Sequence, residues 1–264
     1  MEFWLLYLAA GVIAGFLAGL LGVGGGLVIV PVLSFIFAAQ HFPDAYIQHL
    51  ALGTSLASIL FTSLSSLRAH HAHGAVKWEV VRGITPGIVA GTLLGSVLAA
   101  QLSSYFLKAF FVVFIYYVAT QMLLNIKPKP SRQLPGRAGM FGAGSFIGGI
   151  SSLVGIGGGT VSVPFMTWCN VKLHQAIGTS AAIGFPIAAA GALGFIVNGL
   201  AVKGLPAYSL GFVYLPALLG LVLASVLVAP LGARLAHRLP VAALKKIFAL
   251  LLYALGTRML VSLL

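Results

Sequence analysis

The sequence predicts an all-α polytopic membrane protein built from two inverted repeats of about five membrane segments each. Its 264 residues are 60% hydrophobic and 7% charged, whereas about a quarter of the residues in a soluble domain carry charge. Apolar stretches of about 20 residues, long enough to cross a bilayer as helices, recur along the chain. The glycine-broken phrase GLLGVGGGLVIVPVL at 19–33 also returns as SLVGIGGGTVSVPFM at 152–166. Together these three observations indicate a duplicated membrane domain with no separate soluble part.

Five apolar segments are predicted in each half of the chain. In both halves the second segment is short, follows a run of glycines and contains a proline, Pro31 or Pro164. A polar, basic, proline-rich stretch, NIKPKPSRQLPGR, separates the halves. We therefore expect membrane repeat 1 at 1–124, a cytoplasmic linker at 125–137 and membrane repeat 2 at 138–264, the repeats forming one transport domain. The predicted segments are 3–21, 27–39, 45–67, 80–101, 104–125, 138–155, 160–170, 175–198, 207–231 and 241–263.

Positive charge predicts how these segments are oriented. If all ten segments cross the membrane, 12 of the Lys and Arg residues fall on one side and 3 on the other. If the two short segments only dip into the membrane, the split is 9 to 6. The positive-inside rule favours ten crossings, which place the linker in the cytoplasm and both termini outside. Five crossings per repeat also require the second repeat to be inverted relative to the first.

The repeat extends beyond the glycine phrase. The stretch HLALGTS at 49–55 matches HQAIGTS at 174–180, and LKAFFVVFIYYVATQML at 107–123 matches LKKIFALLLYALGTRML at 244–260. Matches over most of both halves indicate homologous repeats of a transporter-like domain. The first apolar stretch lacks a basic leader and runs into further apolar sequence, so we expect a retained helix and not a cleaved signal peptide.

The two glycine runs, 24–26 and 157–159, are predicted to break a helix inside the membrane. A long helix is expected to end near Gly22 or Gly155, and a short helix to begin before the following proline. The N-terminus of that short helix offers unpaired N–H groups and the positive end of a dipole to an anion, and glycine lets a ligand approach the backbone closely. The alternative is that small residues only let helices pack, which we favour for glycines such as Gly15.

The paired phrases GVGGGLVIVPVL and GIGGGTVSVPFM, the paired GTS motifs and the ending GARLAHRLPVAALKKIFALLLYALGTRML resemble the sulfite exporter TauE/SafE family. The resemblance covers nearly the whole chain. It implies a multi-pass permease of the bacterial inner membrane that moves sulfite, organosulfonates or related small sulfur-containing anions. The mechanism that we expect for such a permease is alternating access, without a cofactor.

Hydroxyl and imidazole groups near the start of the third segment of each repeat are the other candidate ligands. Ser and Thr hydroxyls donate to an oxyanion without the desolvation cost of a charge, and a histidine one helical turn away can donate or carry a proton. Alternatively, these hydroxyls bond their own helix or a neighbouring one, and the histidines lie at the membrane rim. The candidate substrate-binding residues are Gly24, Gly25, Gly26, Gly157, Gly158, Gly159, Thr54, Ser55, Thr179, Ser180, His49 and His174.

The scarcity of acidic residues and of cysteine disfavours other kinds of site. The second repeat contains no carboxylate at all, so a cation carrier or a carboxylate proton relay is disfavoured, and the net charge of +12 fits anionic cargo. The single cysteine, Cys169, excludes an intrachain disulfide and a cysteine metal cluster. The histidines at 70, 71 and 73 are expected in a cytoplasmic loop without a bound metal.

Two other classes of function stay open. An intramembrane enzyme needs a nucleophile beside a base, and Ser55 and His49 are expected on one helix face. A non-transporting membrane assembly factor is the second alternative, which intramembrane polar groups disfavour. The expected partners are the lipid bilayer and a small anionic substrate, not nucleic acid, and a homo-oligomer is left open.

Overall fold

The computed structural model describes residues 2–21, 24–125, 130–236 and 241–263. These residues form ten α-helices and one two-stranded antiparallel hairpin, which confirms the predicted all-α polytopic membrane protein. The helices are α1 Glu2–Leu21, α2 Gly26–Ala39, α3 Ile47–Ala72, α4 Trp78–Gln101, α5 Ser104–Leu123, α6 Arg137–Val154, α7 Gly159–Trp168, α8 Leu173–Gly199, α9 Leu215–Ala236 and α10 Val241–Val261. The strands β1 Ser209–Leu210 and β2 Val213–Tyr214 lie between α8 and α9.

Two of the helices, α2 and α7, are too short to span a membrane. In the described part of the chain, 6 helices are long and apolar enough to span a membrane. By contrast, α2 has 14 residues and α7 has 10, or about 21 and 15 Å of helix against about 30 Å of hydrocarbon. The prediction that the second segment of each half is short and glycine-broken is confirmed. The six spans are Phe3–Leu20, Ile47–Ala72, Trp78–Gln101, Ser104–Leu123, Leu173–Gly199 and Leu215–Gly232.

Corresponding helices of the two halves run antiparallel where they touch. On the α5–α10 contact, the hydroxyls of Tyr116 and Thr257 lie 2.7 Å apart, and those of Thr120 and Tyr253 lie 2.6 Å apart. As one helix ascends in residue number the other descends, so the two run in opposite directions. The α3–α8 contacts with the same sense are Leu56 with Gly191 and Ser63 with Gly184.

The first helix of each half packs against the fourth helix of the other half. A Cβ added to Gly15 on α1 would lie 2.6 Å from the Cα of Ser225 on α9, so this glycine serves the close helix packing expected for it. On the α4–α6 contact, a Cβ on Gly87 or Gly91 would collide with the backbone of α6. Because small residues let the backbones approach, these two contacts tie the halves together over much of their length.

The glycine break of the first half lies at the tip of a helical hairpin. The hydroxyl of Tyr7, near the start of α1, donates a 3.2 Å hydrogen bond to Oε1 of Gln40, just beyond the end of α2. Therefore α2 returns toward the level at which α1 begins. We call the end of the bundle that carries β1 and β2 and the starts of α3, α5 and α9 the hairpin end. The opposite end, with residues 130–136 and the starts of α4, α6 and α8, is the linker end.

The predicted segment 207–231 begins too early. Residues 209–214 form the β-hairpin instead, with Tyr208 at φ 66° and Gly211 at φ 56°, and α9 begins only at Leu215. The error arises because the hairpin is uncharged and largely apolar, so hydropathy alone does not separate it from the helix that follows.

The loop predicted around residues 70–73 is also wrong in large part. α3 continues to Ala72 because no helix-breaking residue occurs before Gly74, which adopts φ 66°. His70 consequently lies on the helix and is 1% exposed, whereas His71 and His73 are exposed.

Candidate functional site

The two glycine breaks touch each other. Gly155 is the left-handed C-cap of α6, with φ 70°, which confirms the predicted helix end there, while the end predicted near Gly22 lies outside the described residues. A Cβ added to Gly24 would lie 3.0 Å from the Cα of Gly157, and one added to Gly26 would collide with the carbonyl oxygen of Gly155. The breaks are thus in direct backbone contact, which side chains at these positions would prevent.

Each break starts a short helix in the same backbone conformation. Gly25 is the N-cap of α2 with φ 77° and ψ −11°, and Gly158 is the N-cap of α7 with φ 77° and ψ −10°. Left-handed backbone costs other L-residues about 1–2 kcal/mol, so glycine is strongly favoured at both positions. The first turns, which begin at Gly26 and Gly159, carry N–H groups without intrahelical partners and the positive end of the helix dipole. Two helix N-termini therefore converge on one junction.

A narrow cavity, which we call the junction cavity, lies beside the touching breaks. Its volume is about 10 Å³, room for about one water molecule. The walls come from α1, α3, α8 and the breaks, and every lining side chain is uncharged and no larger than threonine. The lining residues are Ala18, Gly24, Thr62, Ser63, Ser66, Gly157, Ser180, Ala181 and Gly184.

Hydroxyls are the polar side chains of the junction cavity. Thr62 Oγ1 lies 3.0 Å from Ser225 Oγ and so bridges α3 to α9, and Ser63 Oγ donates to a carbonyl of its own helix at 3.1 Å. Ser66 is 3% exposed, and its Oγ has no hydrogen-bond partner among the described residues. A buried, unpaired hydroxyl costs about 1–3 kcal/mol. A hydrogen bond from Ser66 to a bound ligand would recover that free energy.

Three of the residues predicted from sequence line the junction cavity, namely Gly24, Gly157 and Ser180. Ser55 lies next to it, where its Oγ donates a 2.7 Å hydrogen bond to the carbonyl oxygen of Gly155. The serine of the first GTS motif therefore holds the second half's glycine break in place.

The threonines of the GTS motifs bind backbone from the opposite half. Thr54 Oγ1 accepts a hydrogen bond from the N–H of Tyr214 at 2.9 Å, and Thr179 Oγ1 accepts one from the N–H of Lys77 at 3.0 Å. Both N–H groups belong to the residue just before a fourth helix, α9 or α4. The glycine before each threonine allows this approach, since a Cβ on Gly178 would lie 2.6 Å from the carbonyl oxygen of the residue at 75.

The two predicted histidines occupy different environments. His49 is 3% exposed, and its Nε2–H donates to the carbonyl oxygens of Ala99 and Leu102 at 3.0 and 3.1 Å. Its ring lies 5.0 Å from the ring of Phe212. His174 is exposed at the start of α8. His49 thus ties the end of α4 to α3, and the structure does not bring the two histidines together with the glycine junction.

Sequence reasoning missed Thr62, Ser63 and Ser66. They lie on α3 two to three turns beyond the first GTS motif, in the hydroxyl-rich stretch TSLSS at 62–66. The corresponding stretch of the second half, IAAAG at 187–191, has no hydroxyl. A search restricted to repeated residues cannot find hydroxyl residues that are present in one half only. Several hydroxyl residues close together in an apolar helix are nevertheless a signal that sequence analysis can use.

The chemistry of the junction suits a small anion more than a metal. The described residues contain no group of three or more His, Cys, Asp or Glu that could hold a metal ion. Hydroxyls and helix N-termini are donors to an oxyanion. An uncharged lining also avoids the cost of burying a lysine or arginine inside the membrane.

Comparison with known proteins identifies the family. The family model described as sulfite exporter TauE/SafE matches residues 7–259. A "probable membrane transporter protein" of Haemophilus influenzae is 40% identical over 259 residues, covering 97% of this chain and 98% of its own length. Another of Methanocaldococcus jannaschii is 26% identical over 263 residues, covering 97% and 94%. No solved structure matches the chain. The protein is therefore a multi-pass membrane transporter of the bacterial inner membrane, and it belongs to the sulfite exporter TauE/SafE family.

Proposed function

We propose that the protein carries small sulfur-containing oxyanions, such as sulfite or organosulfonates, across the membrane through the junction cavity. The single observation that carries the proposal is the contact between Gly24 and Gly157 beside a cavity lined by hydroxyls. The N-caps Gly25 and Gly158 each follow a lining glycine, so two helices begin next to the cavity that the unpaired Ser66 hydroxyl lines. The family description supplies the class of cargo.

The donors around the junction match an oxyanion. Helix N-termini favour negative charge through their free N–H groups and dipoles, and a hydrogen bond to a charged group contributes about 1.5–3 kcal/mol. The cavity offers no carboxylate to repel the anion. Its lining also contains no lysine or arginine, so a bound anion is held without an ion pair that would slow its release.

Transport requires the cavity to open. In this conformation it has room for about one water molecule, so an oxyanion can enter only when helices around it separate. Two inverted repeats, 1–124 and 138–264 with the linker at 125–137, supply two bodies that can rotate against each other. The antiparallel α3–α8 and α5–α10 contacts support that arrangement. Rocking of the repeats against each other would expose the cavity to the two ends in turn, which is alternating access.

The hydrogen bonds do not favour an intramembrane enzyme. Nucleophilic catalysis needs a base within hydrogen-bond reach of the nucleophile. Instead, Ser55 Oγ donates to Gly155 O, and His49 Nε2 donates to carbonyl oxygens at the end of α4. The names of the relatives also indicate a transporter.

Flux into proteoliposomes tests the proposal. Purified protein is reconstituted, and uptake of radiolabelled sulfite is measured at mildly alkaline pH, where leakage of sulfur dioxide through lipid is small. We expect saturable uptake that is suppressed by excess unlabelled sulfite or by an organosulfonate such as taurine. Added sodium or potassium ions should not suppress it. Uptake no greater than that of protein-free liposomes for sulfite, thiosulfate and taurine alike would contradict the proposal.

A further inference from the structure

A second cavity, which we call the α3–α9 groove, opens on the outer face of the bundle. It has a volume of about 420 Å³, far larger than the junction cavity. The groove extends toward the linker end, since the Thr62–Ser225 hydrogen bond fixes the level of both helices and the groove residues follow in sequence. Its lining residues are Phe61, Leu64, Ser65, Arg68, Ala69, Ala72, His73, Val226, Pro230 and Arg234.

A proline in the wall of the groove leaves a backbone carbonyl group without its helical partner. Pro230 lies inside α9 and lacks the N–H that would otherwise bond the carbonyl oxygen of Val226. The hydroxyl of Ser65 on α3 donates to that oxygen instead, at 3.2 Å. The carbonyl thus keeps a hydrogen-bond partner, and the bond joins α3 to α9 at this level.

The groove changes from apolar to cationic along its length. Phe61, Leu64 and Val226 lie near the Thr62–Ser225 level. Arg68 is six residues beyond Thr62, about 9 Å along the helix, and Arg234 is nine residues beyond Ser225, about 13 Å along. Both arginines are exposed, and among the described residues no carboxylate forms an ion pair with either.

The related groove in the other half lacks this charge. Counting from the paired histidines, the position that corresponds to Arg68 is Leu193, which lines an apolar groove between α4 and α8. At the position that corresponds to Ala69, Gly194 contacts Ser96 of α4, so the helices touch there. The cations of the α3–α9 groove are therefore a property of one half and one end of the protein.

We propose that the α3–α9 groove binds an anionic phospholipid, its phosphate on Arg68 and Arg234 and an acyl chain along Phe61, Leu64 and Val226. Charge complementarity supports this occupant, because basic pockets between transmembrane helices at the cytoplasmic side attract anionic headgroups. Arginine also matches phosphate with paired N–H donors. The C-terminal dipoles of α3 and α9 already favour cations at this end, but they do not account for an apolar groove that leads to them.

Native mass spectrometry of the purified, full-length protein measures this binding directly. The protein in detergent is titrated with phosphatidylglycerol and, separately, with phosphatidylcholine. We expect tighter binding of phosphatidylglycerol, and we expect the double variant Arg68→Gln/Arg234→Gln to weaken it about 25-fold, since each arginine near an anionic lipid contributes about five-fold. Binding of phosphatidylcholine should weaken less, because its choline group already offsets the charge of the phosphate.

A matched control separates the groove from general positive charge. Arg137→Gln/Lys172→Gln removes two exposed charges at the same end of the bundle, at the starts of α6 and α8, and should leave phosphatidylglycerol binding intact. Ala69→Trp, which fills the groove without altering charge, should weaken both lipids. Thermal midpoints in detergent without added lipid confirm that each variant is folded.

Three results would overturn the proposal. One is equal loss of phosphatidylglycerol binding in the control and in the groove variant. Another is unchanged binding in the groove variant. The third is displacement of phosphatidylglycerol by inorganic phosphate alone, because the groove would then be a site for free anions and not for a lipid. The proposal does not depend on the cargo of the junction cavity, so each can fail without the other.

Discussion

Replacing Ser66 by alanine separates ligand binding from folding at the junction cavity. The Ser66 hydroxyl is buried and has no hydrogen-bond partner in the described part of the chain. Its removal relieves an unpaired polar group that costs about 1–3 kcal/mol, and the void left by one oxygen atom offsets part of that gain. We expect Ser66→Ala to leave the free energy of unfolding unchanged or to raise it by up to about 1 kcal/mol.

Substrate affinity should move in the opposite direction. A hydrogen bond from this hydroxyl to an oxyanion contributes about 1.5–3 kcal/mol, so its loss should raise the Kd about 10- to 150-fold. Isothermal titration calorimetry with sulfite measures the Kd of the wild-type protein and of the variant. Thermal midpoints in detergent, recorded on the same preparations, report the change in stability.

Ser58→Ala is the matched control on the same helix. The Ser58 hydroxyl is fully buried and donates to the carbonyl oxygen of Ser55 at 2.8 Å, and it does not line the cavity. We expect a loss of stability of about 0.5–1 kcal/mol and an unchanged Kd for sulfite. If Ser66→Ala behaves in this way too, with lower stability and normal affinity, Ser66 is a structural hydroxyl and its assignment to the site is refuted.

Three further predictions concern the glycine break of the first half, the hydrogen bond that Thr54 of the first GTS motif accepts, and the topology. Gly25→Ala should lower the thermal midpoint, because the left-handed backbone alone costs about 1–2 kcal/mol and the new Cβ would lie 2.8 Å from a carbonyl oxygen of α1. Thr54→Val should cost about 1–3 kcal/mol of stability by leaving a backbone N–H of the hairpin unpaired, with little effect on sulfite affinity. In a Cys169→Ser background, Ser131→Cys should react with an impermeant maleimide only from the cytoplasmic side.

Each of these predictions has its own contradicting result. Gly142 is the control for the break, since it is exposed on α6 with nothing near its Cβ position, and Gly142→Ala should be neutral or stabilising. Equal thermal midpoints for Gly25→Ala and Gly142→Ala would contradict the argument that the left-handed backbone at position 25 favours glycine. A normal thermal midpoint with lost sulfite affinity in Thr54→Val would show that the Thr54 hydroxyl binds the substrate and does not serve as a structural hydrogen-bond acceptor. Labelling of Ser131→Cys from outside would invert the topology.

Hydropathy predicts the helices of this protein well, because each crossing must hide its backbone in about twenty apolar residues. The glycine runs also place the breaks correctly, since Gly25 and Gly158 adopt a conformation that other residues avoid. The hairpin at 209–214 escapes the same reasoning. It is uncharged and largely apolar, and its turn depends on Gly211 and on contacts with α3 and α8.

The site is harder to predict from the sequence than the fold, because identical residues in the two halves can make different contacts. The GTS motifs repeat, yet Ser55 Oγ donates to the carbonyl oxygen of Gly155 in the other half, whereas Ser180 Oγ donates to that of Ile177 in its own helix. His49 is buried and His174 exposed although their sequence spacing to GTS is the same. Ser66 has no counterpart in the second half, so repeat comparison passes over it.

The central claim is that an oxyanion binds where the two glycine breaks meet. Selenite is a heavier analogue of sulfite, and selenium scatters X-rays anomalously, so a crystal structure of the selenite complex locates the ion without ambiguity. We expect one anomalous peak between Gly24 and Gly157, within hydrogen-bond distance of Ser66 Oγ, in a cavity wider than the present 10 Å³. Competition between selenite and sulfite in the transport assay first establishes that selenite is a ligand. An anomalous peak only at other sites would then contradict the claim.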